Sequence, residues 1–101
     1  MKRTMKNFHD GKTGAAITVS LTFGAEQTKI TKVQKDGTVN IKLVSSSPGE
    51  KAEKDLMIFL GEIFDVNVQD MEVLAGSEEK KLISIIGITP ERVDEIIRGE
   101  M

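Results

Sequence analysis

The chain has no cysteine, which excludes a disulfide framework, a thiolate metal site and a cysteine nucleophile together. Tryptophan and tyrosine are absent too, and phenylalanine occurs only four times. Single-stranded nucleic acid is usually held on a sheet by aromatic side chains that stack on its bases, and the one phenylalanine in a predicted strand, Phe23, falls on the core-facing side. Nucleic-acid affinity is therefore expected to be weak at most. The single histidine, His9, lies in a polar N-terminal stretch without apolar periodicity, where nothing packs around it to position a general base. No apolar run approaches the ~20 residues that cross a bilayer. The basic start MKRTMKNFHDGKTG is followed by no apolar segment of the signal-peptide kind, so a cytoplasmic protein without a membrane partner is expected.

What is present describes one folded domain. The 101 residues are 39% hydrophobic and 30% charged, a composition able to bury one modest core. Charge is unevenly divided: residues 1–49 carry eight Lys/Arg against three Asp/Glu, and residues 50–101 carry six against thirteen. Such an asymmetry either marks a binding face or lets two elements of one fold attract each other. An acidic total favours the second.

Residues 1–14 read as a flexible tail and residues 15–101 as a single domain. From Ala16 the pattern alternates, with Ile17, Val19, Leu21 and Phe23 on one side and Thr18, Ser20 and Thr22 on the other, which is a strand buried on one face. Residues 29–35 and 38–44 flank Asp36-Gly37 and predict a tight hairpin, with Val39, Ile41 and Leu43 inward. Ile30 and Val33 have opposite parity, so the first hairpin strand should be short, bulged or at an edge. Met71, Val73 and Ala75, followed by a polar loop and the β-branched run at 82–86, predict a second hairpin. Thr89-Pro90 is a cap followed by proline, and Val93, Ile96 and Ile97 supply one face of a short closing helix.

Between the hairpins stands SSSPGEKAEKDL, residues 45–56. Ser47 with Glu50 has the spacing of a capping box, and Pro48 falls at the first helical position. Ala52, Leu56, Phe59, Leu60 and Ile63 then form one apolar stripe, predicting a helix over residues 48–64. The same segment offers serine hydroxyls, a helix N-terminus and a lysine, the chemistry a phosphate prefers. Ser46, Ser47, Lys51 and, from the later loop, Lys80 are the candidate anion-binding residues. Against that site, the phosphate-loop glycine spacing is missing, and Glu50 and Glu53 would repel an anion. The acidic groups Glu50, Glu53 and Asp55, and Glu91, Asp94 and Glu95, are explained by the helix dipole rather than by a metal. No cofactor is expected.

The order β-β-β-α-β-β-α, with strands in runs, predicts an α+β fold: a two-layer sandwich of a mixed or mostly antiparallel sheet with two helices on one face. Three stretches, FGAEQTKI (23–30), SPGEKAEKDLMIFLGEIFDV (47–66) and MEVLAGSEEKKLISIIG (71–87), resemble the YggU-like family of small domains of unknown function. Lys51, Ala52 and Gly76 match the family's signature positions. Phe23 and Ser47 stand where it has proline, Glu50 where it has glycine and Glu53 where it has asparagine. In the later loop Lys80 replaces its arginine and Leu82 its lysine. The resemblance implies a divergent member with a two-layer α+β fold and a mixed sheet, and carries no established activity. The expected function is a non-enzymatic binding or interaction module, in the first place for a protein partner and in the second for RNA or a phosphate-bearing ligand. The alternative is an enzyme, or a binder of a phosphate or nucleic-acid ligand, that uses Lys51 and Lys80 near the first helix N-terminus. The two differ in whether those amines converge on one concave pocket.

Overall fold

A computed structural model describes residues 13–101, and the expected tail, with Phe8 and His9, lies outside the described residues except at its end. The elements are β1 (Gly14–Thr22), β2 (Lys29–Val33), β3 (Val39–Lys42), α1 (Glu50–Phe64), a 3-10 turn (Val68–Asp70), β4 (Met71–Gly76), β5 (Lys80–Ile86) and α2 (Pro90–Glu100). This is the expected α+β order. Strand β1 begins two residues ahead of Ala16 because Gly14 pairs with Ile86, and Gly87 N–H donates to the Thr13 carbonyl.

The five strands form one mixed sheet in the order β2-β3-β1-β5-β4. β1 and β3 are parallel, while β1–β5, β2–β3 and β4–β5 are antiparallel. Both hairpins are present, and each edge strand carries an irregularity, between Ile30 and Lys32 in β2 and between Val73 and Ala75 in β4. The slip in β2 resolves its parity conflict, since Ile30 faces Ile41 and Val33 faces Val39, both on the inner side. Broken edges, that of β2 also carrying Lys29 and Lys32, resist pairing with another sheet.

The first hairpin turns less tightly than expected. Gln34 N–H donates to the Thr38 carbonyl and Gly37 N–H to the Gln34 carbonyl, so three residues, Lys35, Asp36 and Gly37, make the connection. Asp36 accepts from Thr38 N–H at 2.9 Å and Gly37 takes φ 92°. That is the three-residue hairpin loop with glycine in the left-handed position, not the two-residue turn.

Both helices lie on one face of the sheet, where α2 packs against β1, β2 and α1. Alternate strand residues reach into that layer: Val19, Ile41, Ile83 and Ile85 are at most 1% exposed, as are Leu56 and Leu60 of α1. Phe64 of α1 and Val93 and Ile97 of α2 complete the same core. Burying such side chains contributes roughly 1.5–3 kcal/mol each, which is why the period-2 and helical stripes dictate which face closes. Among the described residues the opposite face of the sheet carries no helix.

Candidate functional site

Helix α1 starts at Glu50, with Gly49 as its N-cap and no side-chain cap. The expected capping box at Ser47 and Glu50 does not form, and Pro48 stays outside the helix. The reason is local. Gly49 has φ 141°, a conformation that no helical residue takes and that glycine adopts most readily, so the chain turns there before the helix begins. Ser46 and Ser47 are left exposed in the bend before α1.

The hydroxyl that is engaged is that of Ser45. It continues the inward parity of Val39, Ile41 and Leu43, is buried, and donates to Asp55 Oδ2 on α1. That hydrogen bond is the main reason the Asp55 carboxyl sits below the ordinary aspartate range; partial burial opposes it, and the Lys51 charge adds to it. Continuing the alternation one step past Leu43 would have found Ser45 in the sequence.

Lys51 and Lys80 do not meet. Lys51 lies on the first turn of α1, 82% exposed, with its Nζ 3.6 Å from Asp55. Lys80 stands opposite Ser20 on the sheet face turned away from the helices, because β1 buries its odd-numbered residues. The amine near the start of α1 belongs to Lys81, which faces Val19 and therefore the helix layer. Its side chain is 13% exposed, its Nζ lies 3.5 Å from Glu53 Oε1, and it donates to the Ser77 carbonyl at 2.9 Å. A hollow of about 310 Å³ opens there, and Glu50, Glu53 and Glu78 line it with Lys81. Three carboxylates against one paired amine make that hollow acidic and unsuited to an anion.

In the second acidic group, on α2, Asp94 pairs with Arg98 at 2.8 Å and Glu95 with Arg92 at 3.1 Å. Asp94 in turn holds the Arg98 guanidinium more firmly protonated than usual. Asp36 is lowered, chiefly by the Thr38 N–H. Among the described residues no group of three His, Asp or Glu side chains is placed to hold a metal ion, and no helix is long and apolar enough to cross a membrane.

Two further concavities carry mixed linings. One of about 450 Å³ runs beside α1 between Val44, Ile58 and Phe59, with Lys51, Asp55 and Glu62 at its margins. The other, about 310 Å³, lies beneath α2 between Val33, Val93 and Ile97, with Asp36 and Asp94 at its mouth. Neither gathers a nucleophile, a base and an orienting partner, the combination that covalent catalysis requires.

The sheet face that no helix covers among the described residues is a further broad surface, and its composition follows from register. Residues Ala16, Thr18, Ser20 and Thr22 of β1 point to it, with Asn40 and Lys42 of β3 and Leu82 and Ser84 of β5. Gln34 donates its side-chain amide to Asn40 Oδ1 at 2.7 Å, fixing one polar group in the middle. No known protein-family profile matches the chain, and no curated protein matches it.

Proposed function

We propose that this chain is a non-enzymatic binding module that works through its surface rather than a cleft. The separation of Lys51 and Lys80 onto opposite layers carries the proposal, since the alternative reading needs both amines at the α1 N-terminus. The acidic hollow around Glu50, Glu53 and Glu78 supports it further, because that is where a small phosphate ligand would have to sit. A place in the YggU-like family belongs to the same proposal and rests on the three resembling stretches, 23–30, 47–66 and 71–87, with the α+β element order in keeping with it.

The test is thermal melting against phosphate concentration, in the wild type and in Lys51→Ala. A ligand that binds only the folded state raises the melting temperature by mass action, and the rise follows its affinity. The binding-module reading expects no saturable rise at millimolar phosphate and identical curves for the two proteins. A rise that saturates in the wild type and vanishes in Lys51→Ala would overturn it in favour of the anion site.

A further inference from the structure

The register of the open face assembles lysines that the sequence scatters. Lys32 of β2 stands opposite Asn40 of β3, Asn40 opposite Ser20 of β1, and Ser20 opposite Lys80 of β5, one row across four strands. In the next row Lys29 of β2 stands opposite Lys42 of β3, and Lys42 opposite Thr22 of β1. Four lysines thus share two adjacent rows with two hydroxyls and an amide, and these rows hold no carboxylate. At strand spacings of ~4.8 Å the row from Lys32 to Lys80 is about 14 Å long between Cα atoms. Among the described residues none of the four is ion-paired. Asp36, in the hairpin turn, has its carboxyl lowered chiefly by the Thr38 N–H and in part by the Lys80 charge, Glu72 pairs with Ser84 two rows beyond Lys80, and Glu79 directly precedes Lys80, its carbonyl accepting from the Leu21 N–H.

Like charges placed directly opposite on neighbouring strands destabilise a sheet. Lys29 against Lys42 is such a pair, and folding alone gives no reason for it. A polyanion laid over the rows would offset the repulsion.

We propose that this basic face binds the phosphate backbone of double-stranded nucleic acid without reading sequence. It rests on the binding-module reading and names the partner. Protein interfaces are anchored by buried aromatic residues or arginine and are depleted in lysine, and these two rows contain neither anchor. A single strand would need aromatic stacking, which the face lacks. Duplex phosphates need only point charges and hydrogen-bond donors at close spacing, and the rows supply both.

The experiment is fluorescence anisotropy with a labelled duplex RNA of mixed sequence over a series of salt concentrations. The expected Kd is on the order of 10⁻⁵ M near physiological salt, and log K should fall against log salt with a slope of about −3.6, from ~0.9 for each of four neutralised phosphates. Lys29→Gln, Lys32→Gln, Lys42→Gln and Lys80→Gln should each make the slope shallower by about 0.9, and together abolish binding. Lys54→Gln with Arg92→Gln, on the helix side, removes charge elsewhere and should leave the slope unchanged. Amide shift mapping on the wild-type protein, which needs no variant, should place the largest changes at Ser20, Thr22, Asn40 and Lys42. A slope near zero, equal losses from the helix-side variant, shifts centred on residues 50–54, or tighter binding to polyglutamate than to the duplex would each overturn the proposal. The last outcome would make the partner an acidic protein segment. None of these results alters the phosphate melting test, so the two readings fail separately.

Discussion

Replacing Gly76 by alanine tests the closure of the β4–β5 connection more sharply than any other single change. A Cβ at that position would lie 2.1 Å from the Lys80 carbonyl oxygen and 2.8 Å from Lys81 Cα. Both neighbours are backbone, so no rotamer change relieves the overlap, and the Ser77 N–H that holds the Lys80 carbonyl at 2.7 Å would move with it. The backbone conformation adds a second cost, because Gly76 has φ 127°. An L-residue at positive φ loses ~1–2 kcal/mol, and overpacking of this kind costs a further ~1–3 kcal/mol. Gly76→Ala should therefore lose about 3 kcal/mol. Gly37 provides the internal control, with φ 92° and nothing within 4 Å of its added Cβ. Gly37→Ala should lose only the conformational part, about 1 kcal/mol. The difference of about 2 kcal/mol corresponds to roughly 10 °C in melting temperature for a domain of this size. Without tryptophan or tyrosine the measurement is far-UV circular dichroism in urea, comparing midpoints at a shared m-value. Equal losses in the two variants would refute the reasoning, since the close approach to Lys80 would then contribute nothing.

Two further outcomes follow from the helix starts and from Asp55. The Thr89 hydroxyl caps α2 by accepting from Arg92 N–H at 3.0 Å, so Thr89→Ala should cost ~1 kcal/mol, whereas Ser47→Ala, outside any cap, should stay within ~0.5 kcal/mol; a reversed order in urea melts would mean that α1 begins at Ser47 after all. Asp55 is lowered mainly by Ser45, so the folded state binds its proton less readily than the unfolded chain. Its stabilisation is then present above the ordinary aspartate value of about 3.9 and is lost as pH falls through the lower folded-state value. Ser45→Ala should make the acid limb of the stability profile shallower, leaving the part due to Asp36, and an unchanged limb would show that Ser45 does not set the Asp55 titration.

The sequence determined what depends on neighbours along the chain. Strict alternation from Ile17 to Leu21 reads directly as a strand buried on one side, because successive side chains point to opposite faces whatever the partner strand is. Thr89-Pro90 reads as a helix start because hydroxyl, proline and first turn all lie within four residues. The parity conflict of Ile30 and Val33 announced an irregular edge strand, and the bulge lies between Ile30 and Lys32. At SSSPGE the local signals competed, and the glycine won over the serine because its φ of 141° turns the chain immediately before the helix.

Tertiary structure decided everything that depends on which strands become neighbours. The parallel pairing of β1 with β3 joins segments whose own patterns are silent about direction. Lys80 and Lys81 differ by one position and so point to opposite faces, but only the pairing of Lys81 with Val19 shows which of them lies under the helices. The lysines at 29, 32, 42 and 80 are up to 51 positions apart along the chain and share one face only because β2, β3, β1 and β5 adopt that order. Side-chain direction is a local property of the backbone; adjacency across a sheet is a long-range one, set by burial of the whole core at once.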